Sequence, residues 1–394
     1  MSRPQLRSSF ARRVRGALVL ALAAGIPAAV AFAAKPRTAD GKSIFRFDTF
    51  GDEQLWTDRL RMHEVIEAAV SPRVALSVGL KVDAEPLPPD FLSTHDLDDP
   101  ATTLELIRLN AVVGVVGKVA DGHLKSVGIT CALCHSTVDD SVTKGIGRRL
   151  DGWPNIDLNP GAIIALSPAL TPAQKAVYNS WGPGKYDPRF NIDGINGPLV
   201  LPPAFGLRGV GFETFTGDGP VAYWNNYVAV TQMGGHGSFS DPRIGISITQ
   251  TPDLVTPKLP ALEAYQLSLK TPPPPPGSFD PVAAARGAVV FAGKAKCASC
   301  HIPPTYTDVL SGPDPSVPFL HDPTEVGTDP AYASRSATGR YRTTPLRALW
   351  QHPPYFHDGS ARDLAAVVNH YDGFFNLGLT MRQKADLVEF LRTL

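Results

Sequence analysis

Two copies of one short motif constrain this chain more than any other feature of its 394 residues. The four cysteines form two C-x-x-C pairs, and a histidine directly follows each pair. The motifs are Cys131-Ala132-Leu133-Cys134-His135 and Cys297-Ala298-Ser299-Cys300-His301. A disulfide within each pair would suit an oxidising compartment, and four thiolates brought together could hold a zinc ion. Neither alternative explains why a histidine follows both pairs.

The histidines are explained if each motif attaches a c-type haem. One helical turn sets the spacing of the two thiols, which add to the two vinyl groups on one edge of the porphyrin. The adjacent imidazole then binds the iron as its proximal ligand, and C-x-x-C-H is the signature of this attachment. The sequence therefore predicts two covalently bound c-type haems. Their attachment residues are Cys131, Cys134, Cys297 and Cys300, and their proximal iron ligands are His135 and His301.

The first 34 residues have the features of an export signal. Five arginines and no acidic residue precede an apolar stretch from Gly16 to Ala33, and Ala31-Phe32-Ala33 offers an A-x-A cleavage site. The alternative is an uncleaved membrane anchor, because the stretch is long enough to cross a bilayer. Pro27 and the alanine-rich composition favour cleavage. We therefore expect export to the bacterial periplasm, where c-type haem is attached.

The charge balance argues against nucleic acid as a partner. The whole chain has 37 basic and 37 acidic residues, and the signal carries basic residues only, so cleavage leaves a mildly acidic mature chain. A nucleic-acid-binding protein needs a basic surface to contact phosphates, and the sequence has no basic stripe. We expect protein and small-molecule partners instead.

Composition predicts a mainly α fold that is rich in loops. The chain contains 38 prolines and 35 glycines, which favour loops over long helices. Five consecutive prolines, Pro272 to Pro276, predict an extended spacer and mark the clearest domain boundary. The predicted parts are a signal peptide at 1–34, an N-terminal extension at 35–105, a first haem domain at 106–270, a proline-rich linker at 271–277 and a C-terminal cytochrome c domain at 278–394.

Helix signals in the C-terminal domain fit the plan of a small cytochrome c. A helix from Pro281 to Phe291 leads toward the second motif. Ser360 with Asp363 forms an N-cap pair for a helix that runs to about Tyr371, and Thr380 with Gln383 forms a capping box for the last helix. The two haem segments also look like diverged repeats, because Arg208 to Asp218 in the first answers Arg347 to Asp358 in the second. We expect two cytochrome c-like haem domains that face each other across a central site.

Motifs across residues 281–394 match those of a known family. They are Arg286-Gly287, Val290-Phe291, Cys297 to His301, Thr344 to Arg347, Pro354 to Ser360, Leu364 to Tyr371 and Lys384 to Leu387. These residues resemble the bacterial di-haem cytochrome c peroxidase family, which includes MauG. The first haem domain matches more loosely, through Cys131 to His135, Leu207-Arg208 and Asp218-Gly219.

The resemblance implies an oxidoreductase that passes electrons between two haems to hydrogen peroxide or a related oxidant. It also implies a periplasmic protein partner that donates or accepts electrons. Relatives hold a Ca²⁺ ion between the domains and often form homodimers, although no calcium ligand set stands out in this sequence. One alternative is a non-catalytic di-haem electron-transfer cytochrome, and another is a sensor that binds a small gas.

Tyr371 is the candidate distal ligand of the second haem. Leu364, Val367, Val368 and Tyr371 share one helix face, and His370 lies on the flank. The peroxidases of the family have methionine at the position of Tyr371, and this sequence is similar to MauG in having tyrosine there. A phenolate ligand would stabilise the ferric iron. The alternative is a tyrosine that is buried in the core and never contacts iron.

The first haem departs further from the family pattern. Asp151 stands near the place of a second histidine, Gly217 replaces a tryptophan, and no carboxylate occurs near the place of the catalytic glutamate. His236 is therefore the candidate for acid–base work or for the sixth ligand position, with Met233 as a weaker candidate ligand. The alternative for His236 is a loop histidine that bonds to nearby backbone. Glu213 is expected at the surface.

Overall fold

Short helices joined by long loops dominate the chain. The structure is a computed structural model that describes residues 38–394, and the predicted signal peptide at 1–34 lies outside the described residues. Helices exceed strands, as the mainly α, loop-rich prediction requires. The α-helices are α1 Thr38–Phe47, α2 Met62–Ala69, α3 Pro72–Ser77, α4 Phe91–Thr94, α5 Pro100–Arg108, α6 Ala132–His135, α7 Pro160–Ala165, α8 Pro172–Asn179, α9 Phe190–Asp193, α10 Val221–Tyr227, α11 Leu259–Gln266, α12 Pro281–Ala292, α13 Pro323–Val326, α14 Leu364–Phe374 and α15 Met381–Leu391.

Two π-helical segments and five 3₁₀ turns supplement the α-helices of the described residues. Two segments, Gln54–Arg59 and Val228–Gln232, are π-helical, and the second of them continues α10. Such turns carry one extra residue and often lie at functional sites. Single 3₁₀ turns occur at Pro242–Ile244, Thr256–Lys258, Cys297–Ser299, Ala333–Arg335 and Leu349–Gln351.

The strands form five separate two-stranded ribbons within the described residues. The longest ribbon is an antiparallel hairpin, and one ribbon is parallel. The pairs are β1 Val82–Asp83 with β5 Ile146–Gly147, β2 Val115–Ala120 with β3 His123–Ile129, β4 Ser136–Val138 with β6 Arg149–Asp151, β7 Lys185–Tyr186 with β8 Leu199–Val200, and β9 Phe239–Asp241 with β10 Ile246–Ile248.

The caps explain where the C-terminal helices begin. Asp280 accepts hydrogen bonds from the first amides of α12, so the helix predicted from Pro281 is confirmed. The capping box of Thr380 and Gln383 at the start of α15 is also confirmed. The prediction for α14 was wrong in one detail. Asp363 alone caps this helix by accepting from the amide of Ala366, and Ser360 lies outside the cap.

The N-terminal extension shares its core with the first haem segment. Phe45 and Phe50 pack in one hydrophobic cluster with Tyr227 and Leu262. A second cluster joins residues of the extension, among them Trp56 and Phe91, to the first motif through Leu133. A third cluster lies within the C-terminal segment. All described residues belong to one compact unit, so the boundaries at 106, 271 and 278 stay predictions.

Membrane-spanning helices were searched for within residues 38–394. No helix in this range combines the length and the apolar character that crossing a bilayer requires.

Close contact between α12 and α15 depends on Gly287. A Cβ atom at this position would lie 2.0 Å from the carbonyl oxygen of Asp386, so only glycine permits the approach. Beside it, Arg286 makes two hydrogen bonds to the Asp386 carboxylate, at 2.9 and 2.6 Å. The Arg286-Gly287 pair therefore holds the two helices together.

We expect Gly287→Ala to lower the free energy of unfolding by about 1–3 kcal/mol, because the added methyl group forces the helices apart. Gly373→Ala is the matched control. Gly373 also lies in a helix, α14, but a Cβ there meets no atom within 4 Å, so alanine should leave stability unchanged or raise it by up to about 1 kcal/mol. Denaturant unfolding of the full chain measures both, and equal effects would contradict the packing argument.

Candidate functional site

Both motifs line one cavity of about 680 Å³. Its wall includes all four cysteines and both motif histidines, and most of the remaining lining is apolar. Cavities of this size are typical of sites that bury a small ligand or cofactor. Residues from before 270 and after 278 contribute to the same wall, so the folded chain brings together two motifs that lie far apart in sequence.

A single helical turn arranges the first motif. The amide of His135 donates to the carbonyl of Cys131 at 3.2 Å, which closes the turn of α6. Gly114 lies directly against this turn with a φ of +77°, and a Cβ atom there would be 2.1 Å from the backbone nitrogen of Leu133. The loop before β2 therefore supports the motif from behind, at a distance that only glycine allows.

The second motif repeats this geometry in a tighter turn. Cys297–Ser299 forms a 3₁₀ turn, and the amide of His301 donates to the carbonyl of Cys297 at 2.9 Å. In both motifs the same bond spans from the first cysteine to the histidine. The histidine thus lies one turn beyond the first thiol.

Each imidazole is oriented by a loop carbonyl. Nδ1 of His135 donates to the carbonyl oxygen of Pro202 at 3.1 Å, and Nδ1 of His301 donates to that of Tyr306 at 3.0 Å. A carbonyl can only accept, so the proton is on Nδ1 and the lone pair of Nε2 is left for a ligand. Burial lowers the pKa of His135 to about 4 and also lowers the pKa of His301. Both rings are therefore neutral, as a metal ligand requires.

The cysteines are arranged as free thiols. All four lack a disulfide partner. Burial raises the pKa of Cys131 and of Cys134 to about 12, and that of Cys297 to about 11, so these groups are protonated thiols. Among residues 38–394, no three cysteine sulfurs lie close enough to share a metal ion. The geometry thus supports neither a disulfide within each pair nor a shared zinc site, whereas unpaired thiols beside a neutral imidazole fit a c-type haem.

Tyr371 faces the cavity, as the helix periodicity predicts. It lies on α14 and lines the wall near the second motif, between the rings of Phe356 and Phe375 at 5.8 Å from each. Burial raises the pKa of its hydroxyl to about 12, with smaller contributions from the two thiols of the motif. Within the described part of the chain, this hydroxyl has no hydrogen-bond partner. His370 does not line the cavity and instead packs on Phe356 at 4.9 Å. Ligation by Tyr371 stays a prediction.

The structure places His236 away from the cavity. Its Nδ1 donates to the carbonyl of Pro252 at 2.7 Å, and its backbone bonds to Phe50 and Leu254. These are the contacts of a loop histidine, which argues against the predicted catalytic role. Met233, three residues earlier, is buried and does line the wall. Of the two candidates near the first haem, the fold therefore brings only Met233 to the cavity.

Sequence reasoning missed a polar pair at the wall, Tyr186 and Gln232. The Tyr186 hydroxyl donates to Oε1 of Gln232 at 3.0 Å, and Nε2 of Gln232 donates to Thr231 at 2.8 Å. Burial raises the pKa of Tyr186 well above its ordinary value. Gln232 ends the π-helical turn, and this irregular turn was the one signal of a functional position.

One other prediction for the first haem segment was wrong. Glu213 is buried rather than exposed, and its carboxylate accepts from Nη1 of Arg342 at 3.0 Å. Asp151 accepts hydrogen bonds from Arg46, Ser136 and Tyr265, at 2.6, 2.9 and 2.5 Å. Three partners commit Asp151 to a structural role.

An aromatic contact joins the two haem segments. Trp153 lies next to Gly152, whose amide donates to the carbonyl of His135 at 2.8 Å. The indole of Trp153 packs edge-on against Trp350 of the C-terminal segment, with ring centroids 5.7 Å apart. Leu349, which directly precedes Trp350, lines the cavity. The two indoles thus connect the surroundings of both motifs.

His321 forms a charged cluster beside the second motif. Its Nε2 bonds to Asp308 at 3.0 Å and its Nδ1 to Glu325 at 2.9 Å. The donor atoms of Cys300, Asp308 and His321 lie within 4.8 Å of one another, a spacing that could hold a metal ion. This would need Cys300 as a free ligand, so a haem thioether at Cys300 and a metal ion here exclude each other.

Comparison with known proteins gives one sequence relative above chance and distant structural likenesses. The chain is 34% identical to the methylamine utilization protein MauG of Methylorubrum extorquens, over 28% of this chain and 34% of MauG. A hydrazine synthase chain from Kuenenia stuttgartiensis has a TM-score of 0.32, with 20% identity over 50% of this chain and 73% of that one. A MauG-like protein associated with microbial copper homeostasis has a TM-score of 0.36, with 20% identity over 50% of this chain and 74% of that one.

No family model matches the chain. The chain spans about a third of the length of the curated relative that it matches. The two structural likenesses are too weak to establish a shared fold. The sequence is thus similar to MauG over a segment of the chain.

We expect a pH-dependent loss of stability from His321. The hydrogen bond with Asp308, and to a smaller extent that with Glu325, raises the pKa of this buried histidine from about 6.5 to about 9. Its contribution to stability is therefore complete below pH 6.5 and disappears as the pH rises through 9. His321→Gln should destabilise the protein more near pH 6 than near pH 10, as measured by denaturant unfolding at both values.

His123→Gln is the control for this measurement. His123 also pairs with a glutamate, Glu67, at 2.6 Å, but its side chain is 61% exposed. Exposed ion pairs contribute little because water screens them, so this variant should show a smaller change with pH. Equal destabilisation by His321→Gln at both pH values would contradict the charged cluster.

Proposed function

We propose that this chain is a periplasmic di-haem c-type cytochrome with oxidoreductase activity of the di-haem peroxidase and MauG type. One observation carries the proposal: both C-x-x-C-H motifs line a single cavity, each with free thiols and a neutral imidazole whose Nε2 is available. Two redox groups bound there would lie near enough to exchange electrons. The segment similarity to MauG supports the same reading.

The chain would hold the haems through residues that already have the required chemistry. Cys131 and Cys134 would attach the first haem and Cys297 and Cys300 the second, with Nε2 of His135 and His301 bound to the irons. When bound, the haems supply one-electron redox chemistry. The hydrogen bonds from Nδ1 to Pro202 and Tyr306 keep each ring in the tautomer that can bind.

At the first haem, the chain offers hydrogen bonds, while Glu213, the acid in the described cavity lining, is paired with Arg342. Reduction of hydrogen peroxide to two water molecules consumes two electrons and two protons, which a donor protein and solvent would supply. The amide of Gln232 can orient a bound oxidant, and Tyr186 fixes the amide through its hydroxyl. An amide does not transfer protons at neutral pH, and the raised pKa of Tyr186 makes it a weak acid. Solvent access would then limit the rate.

Electrons would travel between the two segments through the indole pair. Trp153 follows the first motif and contacts Trp350 across the junction, at 5.7 Å between ring centroids. At the second haem, Tyr371 is the residue positioned to complete the iron coordination, since it faces the cavity and its hydroxyl has no partner among residues 38–394. A phenolate ligand would favour the oxidised iron.

A non-catalytic electron-transfer cytochrome is the second candidate. Met233 is buried at the cavity wall and could close the first iron as a sixth ligand. Glu213, the one acidic side chain among the described residues that line the cavity, is committed to Arg342. A six-coordinate iron would still exchange electrons but would not react with peroxide. The periplasmic partner protein, a Ca²⁺ ion and a homodimer stay predictions under either candidate.

Spectroscopy of the mature, haem-loaded protein separates the two candidates. We expect a high-spin ferric EPR signal, because an oxidant needs an open iron, and we expect hydrogen peroxide to change that signal. Two low-spin signals that peroxide leaves unchanged, in both the oxidised and the half-reduced protein, would favour the electron carrier. In that event, Met233→Leu should convert one low-spin signal to high-spin if Met233 is the closing ligand.

A pair of variants tests which residue serves the oxidant. Gln232→Ala removes a hydrogen-bond donor at the wall and should lower peroxide turnover about fivefold, since one hydrogen bond is worth about 1 kcal/mol. His236→Ala should leave turnover unchanged, because His236 does not line the cavity. Both variants should retain two haems per chain. The opposite result, with His236→Ala impaired and Gln232→Ala active, would restore the interpretation drawn from sequence alone.

A further inference from the structure

The cavity wall carries one cation that the protein itself leaves unbalanced. The charged side chains among its described lining residues are Glu213, Lys296, Arg342 and Arg347, apart from histidines. Arg342 pairs with Glu213 at 3.0 Å, and Lys296 is exposed to solvent. Arg347 makes no ion pair with any carboxylate in residues 38–394. The wall therefore has a net positive charge that is concentrated at Arg347.

The guanidinium of Arg347 is held in place from one side only. Its Nη1 donates to the carbonyl oxygens of Phe205 and Gly206, the first at 3.1 Å. Gly206 has a φ of +63°, and a Cβ atom there would lie 2.8 Å from Cδ of Arg347, so glycine allows the close contact. The backbone carbonyl of Arg347 in turn accepts from Nε2 of His352 at 3.1 Å. Backbone carbonyls of the first segment thus hold the guanidinium, and the His352 side chain holds the backbone that carries it.

The rest of the guanidinium is available to a ligand. Neither Nε nor Nη2 has a hydrogen-bond partner among the described residues, so three of the five N–H groups are unused. Burial lowers the pKa of Arg347 to about 10, and the neighbouring charge of Arg342 adds to this effect while Glu213 opposes it. A buried cation without a counter-ion is costly. A planar guanidinium with free N–H groups is suited to bind a carboxylate with two parallel hydrogen bonds.

Arg208, which corresponds to Arg347 in the first of the two repeated segments, differs from it in exposure to solvent. Leu207-Arg208 in the first segment corresponds to Leu346-Arg347 in the second. Both leucines line the cavity, but Arg208 is exposed and Arg347 is not. Only one of the two arginines is therefore positioned to meet a group inside the cavity, and the other provides a matched control.

We propose that Arg347 binds a propionate carboxylate of a haem held in this cavity and so acts as a positioning residue at the junction of the two segments. The inference rests on the proposed function, because it assumes a haem in the cavity. A haem attached by its vinyl edge directs its two propionates toward the opposite edge, away from the cysteines. Arg347 would neutralise one of these charges and fix the tilt of the ring. A free carboxylate or chloride ion could supply the same charge, and the test distinguishes the two sources.

The test compares the full, haem-loaded protein with Arg347→Met, Arg347→Lys and Arg208→Met. Haem content is measured first, by the pyridine haemochrome method. Absence of haem from the unmodified protein would contradict the proposed function itself. Each haem is then titrated with reductant. A nearby cation stabilises the reduced iron, so Arg347→Met should shift the reduction equilibrium of one haem at least about tenfold toward the oxidised form, which is about 59 mV. Arg347→Lys should keep most of the potential, and Arg208→Met should change neither haem.

Three outcomes would overturn the proposal. The first is that Arg347→Met leaves both potentials as they are in the unmodified protein. The second is that the potentials of the unmodified protein depend on added acetate or chloride and lose this dependence in Arg347→Met, which would identify a free anion as the partner. If Arg347→Met fails to load haem, Arg347→Lys decides: we expect the propionate-bending band in its resonance Raman spectrum to move, and an unmoved band is the third contrary outcome.

Discussion

One hydrogen-bonded turn in each C-x-x-C-H motif positions its two thiols and its imidazole at the cavity wall. The amide of the histidine bonds to the carbonyl of the first cysteine, which brings two thiols and an imidazole to one wall. A second bond from Nδ1 to a loop carbonyl then rotates each ring so that its lone pair is free. An imidazole carries a single lone pair when it is neutral, so the ring cannot serve as ligand unless this second bond is made on the correct side.

The loop-rich fold supplies the free carbonyls that this second bond requires. Helix carbonyls are already bonded within the helix and cannot accept from a side chain at little cost, whereas loop carbonyls are free to do so. Pro202 and Tyr306 supply such carbonyls to the two histidines, and Phe205 and Gly206 supply them to Arg347. The loops are in turn held by packing. The N-terminal extension shares two hydrophobic clusters with the first haem segment, which makes it part of the support for the first motif.

Electrostatics gives the cavity a character unlike that of the surface. Residues 35–394 carry more acidic than basic side chains, yet the described residues that line the cavity include a single acid, which is already paired with Arg342. In an apolar cavity, a fixed cation acts on a redox centre far more strongly than it would in water. The distribution therefore favours bound groups that bring their own negative charge.

The sequence determined the features that depend on neighbours along the chain. The two haem motifs, the start of α12 at Pro281, the capping box at Thr380 and the inward face of Tyr371 all follow from spacings of three to seven residues. Such local signals survive folding because the helical period fixes which side chains share a face. Even here one detail failed, since Ser360 and Asp363 both suit an N-cap and only the final geometry selects Asp363.

Tertiary structure decided the features that depend on distant segments. Glu213 meets Arg342 across 129 residues, and Gln54 and Trp56 hold the loop after Gln232 by bonding to Gly234 and Met233. Gln232 and Met233, at the end of the π-helical turn Val228–Gln232 and directly after it, line the cavity, whereas His236 does not. No local pattern reports a contact between segments far apart in sequence. The physical reason is that the burial and pairing of a side chain depend on which distant segments pack around it in the folded protein, whereas the spacing of residues is already present in the unfolded chain.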